Sequence, residues 1–232
     1  MRYFLVILCS IVIASNACEK ASDPSRITSA GGSVTEIIYL LNAEDNLIAV
    51  DVTSNYPPEA KKLPSIGYVR QLSAEGVLSL DPTIIIGEDD MGPPSVLDQI
   101  KRTQVEIMII PEEHNVEGIL KKIECISSVI GIDSEAIINS TVIPKITKLN
   151  QLTQDSKKQK IIYILGMQSG SPLVAGNKTS GNGLIKISGG VNPFSTFEGW
   201  KPVGTESIIE ASPDLIIISE RGLKGFGTME DL

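Results

Sequence analysis

Few residues in this sequence have the types and spacing that catalysis requires. The chain contains no Ser-His-Asp order, no cluster of metal-ligating side chains and no phosphate-binding lysine motif. Gly181-Asn182-Gly183 is too short and misplaced for a dinucleotide-binding loop. Gly31-Gly32-Ser33 could hold a phosphate at a helix N-terminus, but a strand-to-helix turn is the simpler explanation. The sequence therefore favours a binding protein over an enzyme.

The charge balance excludes a further class of function. With 20 Lys and Arg against 28 Asp and Glu, the formal net charge is −8. Nucleic-acid binders need basic surface to displace counterions from phosphates, so no nucleic-acid partner is expected. A hydrophobic content of 42% is enough to build one large core or two small ones.

Residues 1–17 predict export from the cytoplasm. They hold one charge, Arg2, followed by an apolar run from Phe4 to Ala14 and then small residues. This is the pattern of a signal peptide. The apolar run is shorter than the roughly 20 residues of a membrane-spanning helix, so a permanent transmembrane segment is the weaker interpretation.

Cys18 stands where a lipoprotein accepts its lipid. It follows the small residue Ala17 and precedes a polar stretch, so we expect lipidation at Cys18 and a tether over residues 18–25. Simple cleavage after Ala17 is the alternative. Because Cys9 leaves with the signal peptide, Cys125 is expected to be a lone, buried thiol without a disulfide partner.

From Arg26 onwards, strands and helices alternate. The continuous apolar runs Thr83 to Ile86 and Glu106 to Ile110 are typical of parallel strands covered by helices on both faces. Ser33 with Glu36 predicts a capping box at the start of the first helix. The alternation predicts a doubly wound α/β lobe over residues 26–132.

The remainder of the chain predicts a second lobe. Residues 133–159 are expected to form a helix that joins the lobes and that kinks or ends near Pro144. Residues 160–232 are predicted as a second doubly wound lobe. The stretch Glu75 to Ile86 aligns with Glu206 to Ile217. In each stretch a glutamate opens a short helix, and a proline and then a buried strand follow it at the same spacing. This spacing favours a duplicated architecture.

Four stretches resemble the haem-binding proteins of bacterial ABC importers, within the larger group that binds cobalamin and ferric siderophores. They are Ser29 to Ile37, Gly67 to Gly76, Pro172 to Gly176 and Gly189 to Asn192. The resemblance extends from Arg26 to Leu232. It implies a class III periplasmic-binding-protein fold, in which two α/β lobes joined by a long helix sandwich the ligand.

The resemblance implies an iron ligand. In this family the haem iron is typically held by a tyrosine in a Gly-Tyr-x-Arg segment, and Tyr68 occupies that position. A phenolate oxygen is a hard donor suited to ferric iron. A phenol titrates at about 10, and Arg70 could favour the anion or pair with a haem propionate. Without the resemblance, Tyr68 is explained as a loop tyrosine that packs on its own lobe.

Residues of the opposite lobe complete the expected site. Some family members have a second ligand there, often histidine. The single histidine, His114, belongs to the first lobe, where it could lie near the cleft mouth but is expected to face solvent. Met167 is a conceivable sulfur ligand but is expected to contact the porphyrin or the core, so we expect iron held by tyrosine alone. The repeat places Trp200 opposite Tyr68, where it would form a flat apolar wall or cap its own lobe's core.

Glu75 and Glu206 match the residues with which the wider family docks onto its permease. In that family one glutamate on each lobe contacts arginines of the membrane protein, which gives a two-point electrostatic contact. Taken singly, each is also explained as an exposed carboxylate in the first turn of a helix.

The sequence thus predicts an exported, monomeric lipoprotein, periplasmic or on the outer surface. It would capture haem and deliver it to an ABC permease and its ATPase. The alternatives are the same fold with cobalamin or a ferric siderophore and, in another class, a surface scaffold or adhesion lipoprotein. Family members continue past Leu232 with a further strand and helices, so the second lobe is expected to be truncated.

Overall fold

A computed structural model describes residues 18–154 and 157–223. The predicted signal peptide, residues 1–17, lies outside this part of the chain. No helix within it has the length and apolar character needed to cross a bilayer.

The strands are β1 (Ile27–Ala30), β2 (Leu47–Val50), β3 (Ile84–Gly87), β4 (Glu106–Ile109), β5 (Ile161–Gln168), β6 (Ser171–Ala175), β7 (Trp200–Pro202) and β8 (Leu215–Ile218). The α-helices are α1 (Gly32–Leu40), α2 (Ala74–Leu78), α3 (Pro94–Ile100), α4 (Val116–Ile130), α5 (Glu135–Ile137), α6 (Ile143–Thr153), α7 (Ser180–Ile187), α8 (Thr205–Ala211) and α9 (Glu220–Leu223).

The first lobe is built on a parallel sheet with strand order β2-β1-β3-β4. Side chains alternate between its faces. Ile84 and Ile86 of β3 pack in the core that holds α1 and α4, whereas Ile85 packs with residues of α2 and α3. Helices therefore cover both faces, as the apolar strand runs predicted. The strand order reverses between β1 and β3, the point at which open α/β sheets bind ligands at their carboxyl ends.

The start of α1 differs from the predicted capping box. The helix begins at Gly32, and its N-cap is Gly31, whose φ of 128° lies in a region that favours glycine. Ser33 lies inside the helix and donates a hydrogen bond to Glu88 Oε1 at 2.5 Å. The serine therefore links α1 to the loop after β3 and does not cap its own helix.

A single helical run connects the two sheets. It consists of α5, a π-helical turn over Ile138–Val142, and α6. The sequence predicted that this helix kinks or ends near Pro144. The helix does not end there, because Pro144 lies in the first turn of α6 and the run continues to Thr153. The π-helical turn just before the proline changes the hydrogen-bond pattern where the proline lacks its N–H.

The second sheet has the order β7-β6-β5-β8. The α/β class is confirmed, but this sheet is mixed, since β5 pairs parallel with β8 and antiparallel with β6, and β6 pairs antiparallel with β7. The cause is a two-residue turn, Ser169-Gly170, in which both residues have positive φ. Such a turn joins neighbouring strands as a hairpin, whereas parallel pairing needs a longer crossover.

The segment expected to be a tether packs against α4. Ser128 Oγ donates to the carbonyl of Cys18 at 2.7 Å, and the buried Ala21 donates its amide to a carbonyl of α4 at 2.9 Å. Cys18 forms a disulfide with Cys125. Residues 18–25 are therefore not a free tether, and Cys125, although buried as expected, is not a lone thiol. That prediction was wrong because it assumed that lipid occupied the sulfur of Cys18.

Candidate functional site

A cleft of about 480 Å³ lies between the two lobes. Its volume falls within the roughly 300 to 1,000 Å³ usual for small-molecule sites. Four predicted site residues, which come from both lobes, line it together. The lining residues are Thr53, Tyr68, Arg70, Leu165, Gly166, Met167, Leu173, Ser180, Trp200 and Gly222.

Tyr68 is positioned by backbone hydrogen bonds on both sides of it. Before it, the amide of Val52 donates to the carbonyl of Gly67 at 2.9 Å. Gly67 has a φ of 89°, a conformation that glycine adopts readily. After it, the amide of Gly92 donates to the carbonyl of Val69 at 2.9 Å. The ring of Tyr68 packs partly on the first-lobe core and also lines the cleft, so both interpretations of this residue describe part of its surroundings.

Arg70 forms an ion pair with Asp90. Its Nε donates to Asp90 Oδ2 at 2.6 Å, and its Nη2 lies 2.5 Å from the same oxygen. Burial alone would lower the pKa of Arg70, but the hydrogen bond and charge of Asp90, with the charges of Tyr68 and Glu88, raise this pKa above its usual value. Arg70 is therefore a fixed cation near Tyr68. Its partner Asp90, which the sequence did not predict, offsets part of that charge.

Trp200 both packs on its own lobe and lines the cleft. Its ring meets Tyr163 edge-on, with centroids 5.8 Å apart. A Cβ atom on Gly181 would lie 2.9 Å from Trp200 Cη2, so the glycine allows α7 to approach the ring. The preceding Gly199 has a φ of 77°, close to that of Gly67. The predicted equivalence of the two glycine-aromatic pairs thus extends to their backbone conformation.

Met167 and His114 lie on opposite lobes. Met167, near the end of β5, is 38% exposed and lines the cleft. His114, expected to face solvent, has a half-buried side chain, 25% exposed, and lies near the cleft mouth, in a pocket that Arg70 and Trp200 also line. A Cβ on Gly183 of α7 would come within 2.5 Å of the His114 carbonyl oxygen. The missing side chain at Gly183 therefore lets the second lobe cover this loop.

A buried lysine holds a polar cluster beside the cleft. Lys122 of α4, with a side chain 6% exposed, donates to Ser33 Oγ at 2.6 Å and to Glu112 Oε1 at 3.0 Å, and its Nζ lies 3.5 Å from Glu88 Oε1. Burial raises the pKa of Glu88, against the opposing effects of Lys122 and Ser33. No local spacing predicts this cluster, because its members come from four separate segments.

Glu75 and Glu206 are exposed in the first turns of α2 and α8. Each helix is followed by a strand, β3 or β8, as the aligned stretches predicted, but only β3 is buried, because Leu215 and Ile216 of β8 are 45% and 46% exposed. Asp81 and Ser212, which separate helix from strand, both have positive φ, of 51° and 47°. The lobes therefore each present one carboxylate at equivalent positions of the repeat, outside the set of residues that lines the cleft.

Several lining residues of the second lobe were missed. They lie where β5 continues past its apolar run and extends to Gln168. Its register with β6 shifts at residues 164–166, and Leu173 of the partner strand also reaches the cleft. The apolar pattern weakens after Leu165, so the continuation of the strand depends on pairing with β6 and not on a local signal.

Comparison with known proteins identifies the family. A family model described as "Periplasmic binding protein" matches residues 27–231. The solved structure of the periplasmic haem-binding protein RhuT from Roseiflexus sp. RS-1, in apo form, shares 32% identity at a TM-score of 0.82. That match covers 89% of this chain and 81% of RhuT.

Two curated relatives are similar over most of this chain. The vitamin B12-binding protein of Photorhabdus laumondii is 25% identical over 199 residues, covering 84% of this chain and 71% of the relative. The ABC transporter substrate-binding lipoprotein YvrC of Bacillus subtilis is 23% identical over 205 residues, covering 85% of this chain but only 64% of YvrC. The chain thus spans less than two thirds of YvrC.

These matches agree with the two-lobed geometry and its cleft. The family is one of exported substrate-binding proteins of transport systems. The family model covers nearly the whole chain, and a solved member with the same fold is 32% identical. This chain belongs to the periplasmic binding protein family.

Proposed function

We propose that this chain is the substrate-binding component of a bacterial ABC importer and that it carries haem between its two lobes. The observation that carries the proposal is that Tyr68, Arg70, Met167 and Trp200 line one cleft. Two solved structures similar to this chain, the haem-binding proteins RhuT and HutB, are 32% and 34% identical to it, which supports haem as the ligand.

The lining of the cleft matches the chemistry of haem. Haem is a flat apolar ring with a ferric centre and two carboxylates. Trp200, Met167 and Leu173 supply apolar surface to the ring. The phenolate oxygen of Tyr68 supplies a hard donor to the iron. Arg70, held by Asp90, supplies a positive charge for the phenolate or for a propionate.

A corrin is the second candidate ligand, because one relative is named for vitamin B12. Absorbance titrations of the purified chain with hemin and with cyanocobalamin separate the two. We expect hemin to bind at one equivalent with a tyrosinate-type spectrum and cyanocobalamin not to compete. Binding of cyanocobalamin with no spectral response to hemin would overturn the haem assignment.

Trp200→Ala is expected to weaken hemin binding about tenfold. An aromatic contact of this kind contributes up to about 1.5 kcal/mol, and the upper end of that range corresponds to this factor. Trp200→Phe keeps a flat ring and should stay close to the parent protein. Both are measured by the same titration, and an unchanged affinity in Trp200→Ala would assign the tryptophan to its own lobe's core alone.

The exposed carboxylates of the two lobes are proposed to dock on the permease. Reversing both charges, Glu75→Arg with Glu206→Arg, should abolish haem uptake in cells that contain the permease and its ATPase, and should leave hemin binding unchanged. Glu210→Arg, on the same helix as Glu206 and also exposed, is the matched control and should still transport. Uptake at the parent rate in the double variant would refute docking through these residues.

A further inference from the structure

We propose that the sulfur of Cys18 pairs with Cys125 and carries no lipid. The disulfide then holds the mature N-terminus against the first lobe, and the protein is not anchored through Cys18. The covalent partner of this sulfur decides between two forms of the protein, one bound to a membrane and one released. The inference concerns the N-terminal segment and does not depend on the identity of the ligand.

The two modifications of Cys18 exclude each other. A lipoprotein carries its lipid as a thioether on the sulfur of the N-terminal cysteine. A disulfide uses the same valence of the same sulfur. Cys18 is bonded to Cys125, with their Cα atoms 4.8 Å apart, a separation usual for paired cysteines.

Cys125 belongs to the packed core, and Cys18 is partly buried against it. Cys125 is 5% exposed on α4, within the cluster formed by α1, α4 and the first sheet, and Cys18 packs against the same cluster. A lipid on Cys18 would place acyl chains at this contact or would require the residue to leave it. The packing therefore favours the disulfide.

The residues after Cys18 leave no spacer for an anchor. Seven free residues in extended form would reach about 25 Å. Here Ser22 donates from its amide and its Oγ to Glu106 Oε2 at 3.0 and 2.9 Å, and Ala21 donates to the carbonyl of Val129 at 2.9 Å. An anchor at Cys18 would hold the first lobe directly against the membrane or would break these contacts.

The sequence before Cys18 agrees with this assignment. Ser15 and Asn16 are not the commonest residues ahead of a lipid-accepting cysteine, whereas the small residue Ala17 suits ordinary signal-peptide cleavage. Cleavage after Ala17 would leave Cys18 as the first residue with a free thiol.

Formation of the bond is a two-electron oxidation. Both thiols lose a proton and together give up two electrons to the disulfide of an oxidoreductase outside the cytoplasm, which is reduced to a dithiol. The exchange passes through a mixed disulfide and is typical of compartments that keep protein thiols oxidised.

Peptide mapping of the exported protein tests the proposal directly. Expressed as the full chain with its signal peptide, purified without reductant and alkylated before trypsin digestion, the protein should yield residues 18–20 joined to residues 123–145. Reduction should release both peptides. A diacylglyceryl group on Cys18, or alkylation of Cys18 and Cys125 without prior reduction, would overturn it.

Processing of the Cys18→Ser variant gives an independent test. A lipoprotein signal peptide needs its cysteine for cleavage, so the variant would accumulate as an uncleaved, membrane-bound precursor if Cys18 were lipidated. We expect cleavage after Ala17 and release, as in the parent chain. Cys125→Ser, which leaves the cleavage site intact, is the matched control and should be processed in the same way.

Discussion

Lys122→Met is expected to lower the free energy of unfolding by about 3 kcal/mol, the scale seen when one partner of a buried ion pair is removed. Lys122 is 6% exposed, and its ammonium is shared by Glu112 and Glu88, whose side chains are 22% and 17% exposed. Methionine fills a similar volume but leaves two poorly solvated carboxylates and Ser33 without their cation. Denaturant unfolding at neutral pH measures the loss.

The adjacent residue provides the matched control. Lys121 is 55% exposed and pairs with Glu117 on the helix surface at 2.8 Å. Exposed pairs of this kind contribute little, so Lys121→Met should unfold at nearly the same denaturant concentration as the parent chain. Equal losses in the two variants would show that the buried cluster has no special role in stability.

The deficit of Lys122→Met should also depend on pH. Burial raises the pKa of Glu88 above 4.5, and Lys122 opposes that shift, so removal of the lysine raises this pKa further. A carboxyl with a raised pKa binds its proton more tightly in the folded state than in the unfolded state. Protonation of Glu88 on acidification therefore stabilises the folded variant. The deficit should shrink as the pH falls from neutral toward 4.5. A deficit that stays constant would contradict the assignment to Glu88.

Tyr68→Phe is expected to weaken hemin binding by at least about 100-fold, because it removes the proposed donor to the iron. Loss of a group that only supports a metal ligand already weakens binding by about 10- to 100-fold, and loss of the ligand itself should cost more. The substitution keeps the ring that packs on the first-lobe core. The tyrosinate-type spectrum should disappear at the same time. Absorbance titration with hemin measures both effects.

Tyr56→Phe is the control for this change. Tyr56 is 64% exposed and lies outside the set of residues that lines the cleft. It should bind hemin as the parent chain does. Retention of the tyrosinate-type spectrum in Tyr68→Phe, or its loss in Tyr56→Phe, would remove Tyr68 as the ligand.

The first lobe could be predicted from the sequence because its signals are local. Continuous apolar runs such as Ile84 to Ile86 indicate parallel strands buried on both faces, and the structure has this sheet. The second sheet could not be predicted in the same way. Its antiparallel pairs result from the positive φ values of Ser169 and Gly170, and that turn was not recognised as a hairpin.

The residues of the candidate site also differ in how far the sequence predicts them. Tyr68 and Arg70 were predicted from the resemblance to the haem-binding family, and Trp200 was predicted from an internal repeat. Asp90, the partner that holds Arg70, could not be predicted, because it lies 20 residues away in a separate loop, and the disulfide outside the site joins residues 107 positions apart. Contacts of this kind depend on how the layers pack and have no periodic signal in the chain.

A crystal structure of the chain loaded with hemin, with the iron located by its anomalous scattering, tests the central claim most directly. The account predicts one porphyrin between the lobes, with iron bonded to Tyr68 Oη and the ring against Trp200. Iron bound elsewhere on the surface, or a porphyrin in the cleft with Tyr68 turned into the first-lobe core, would contradict it.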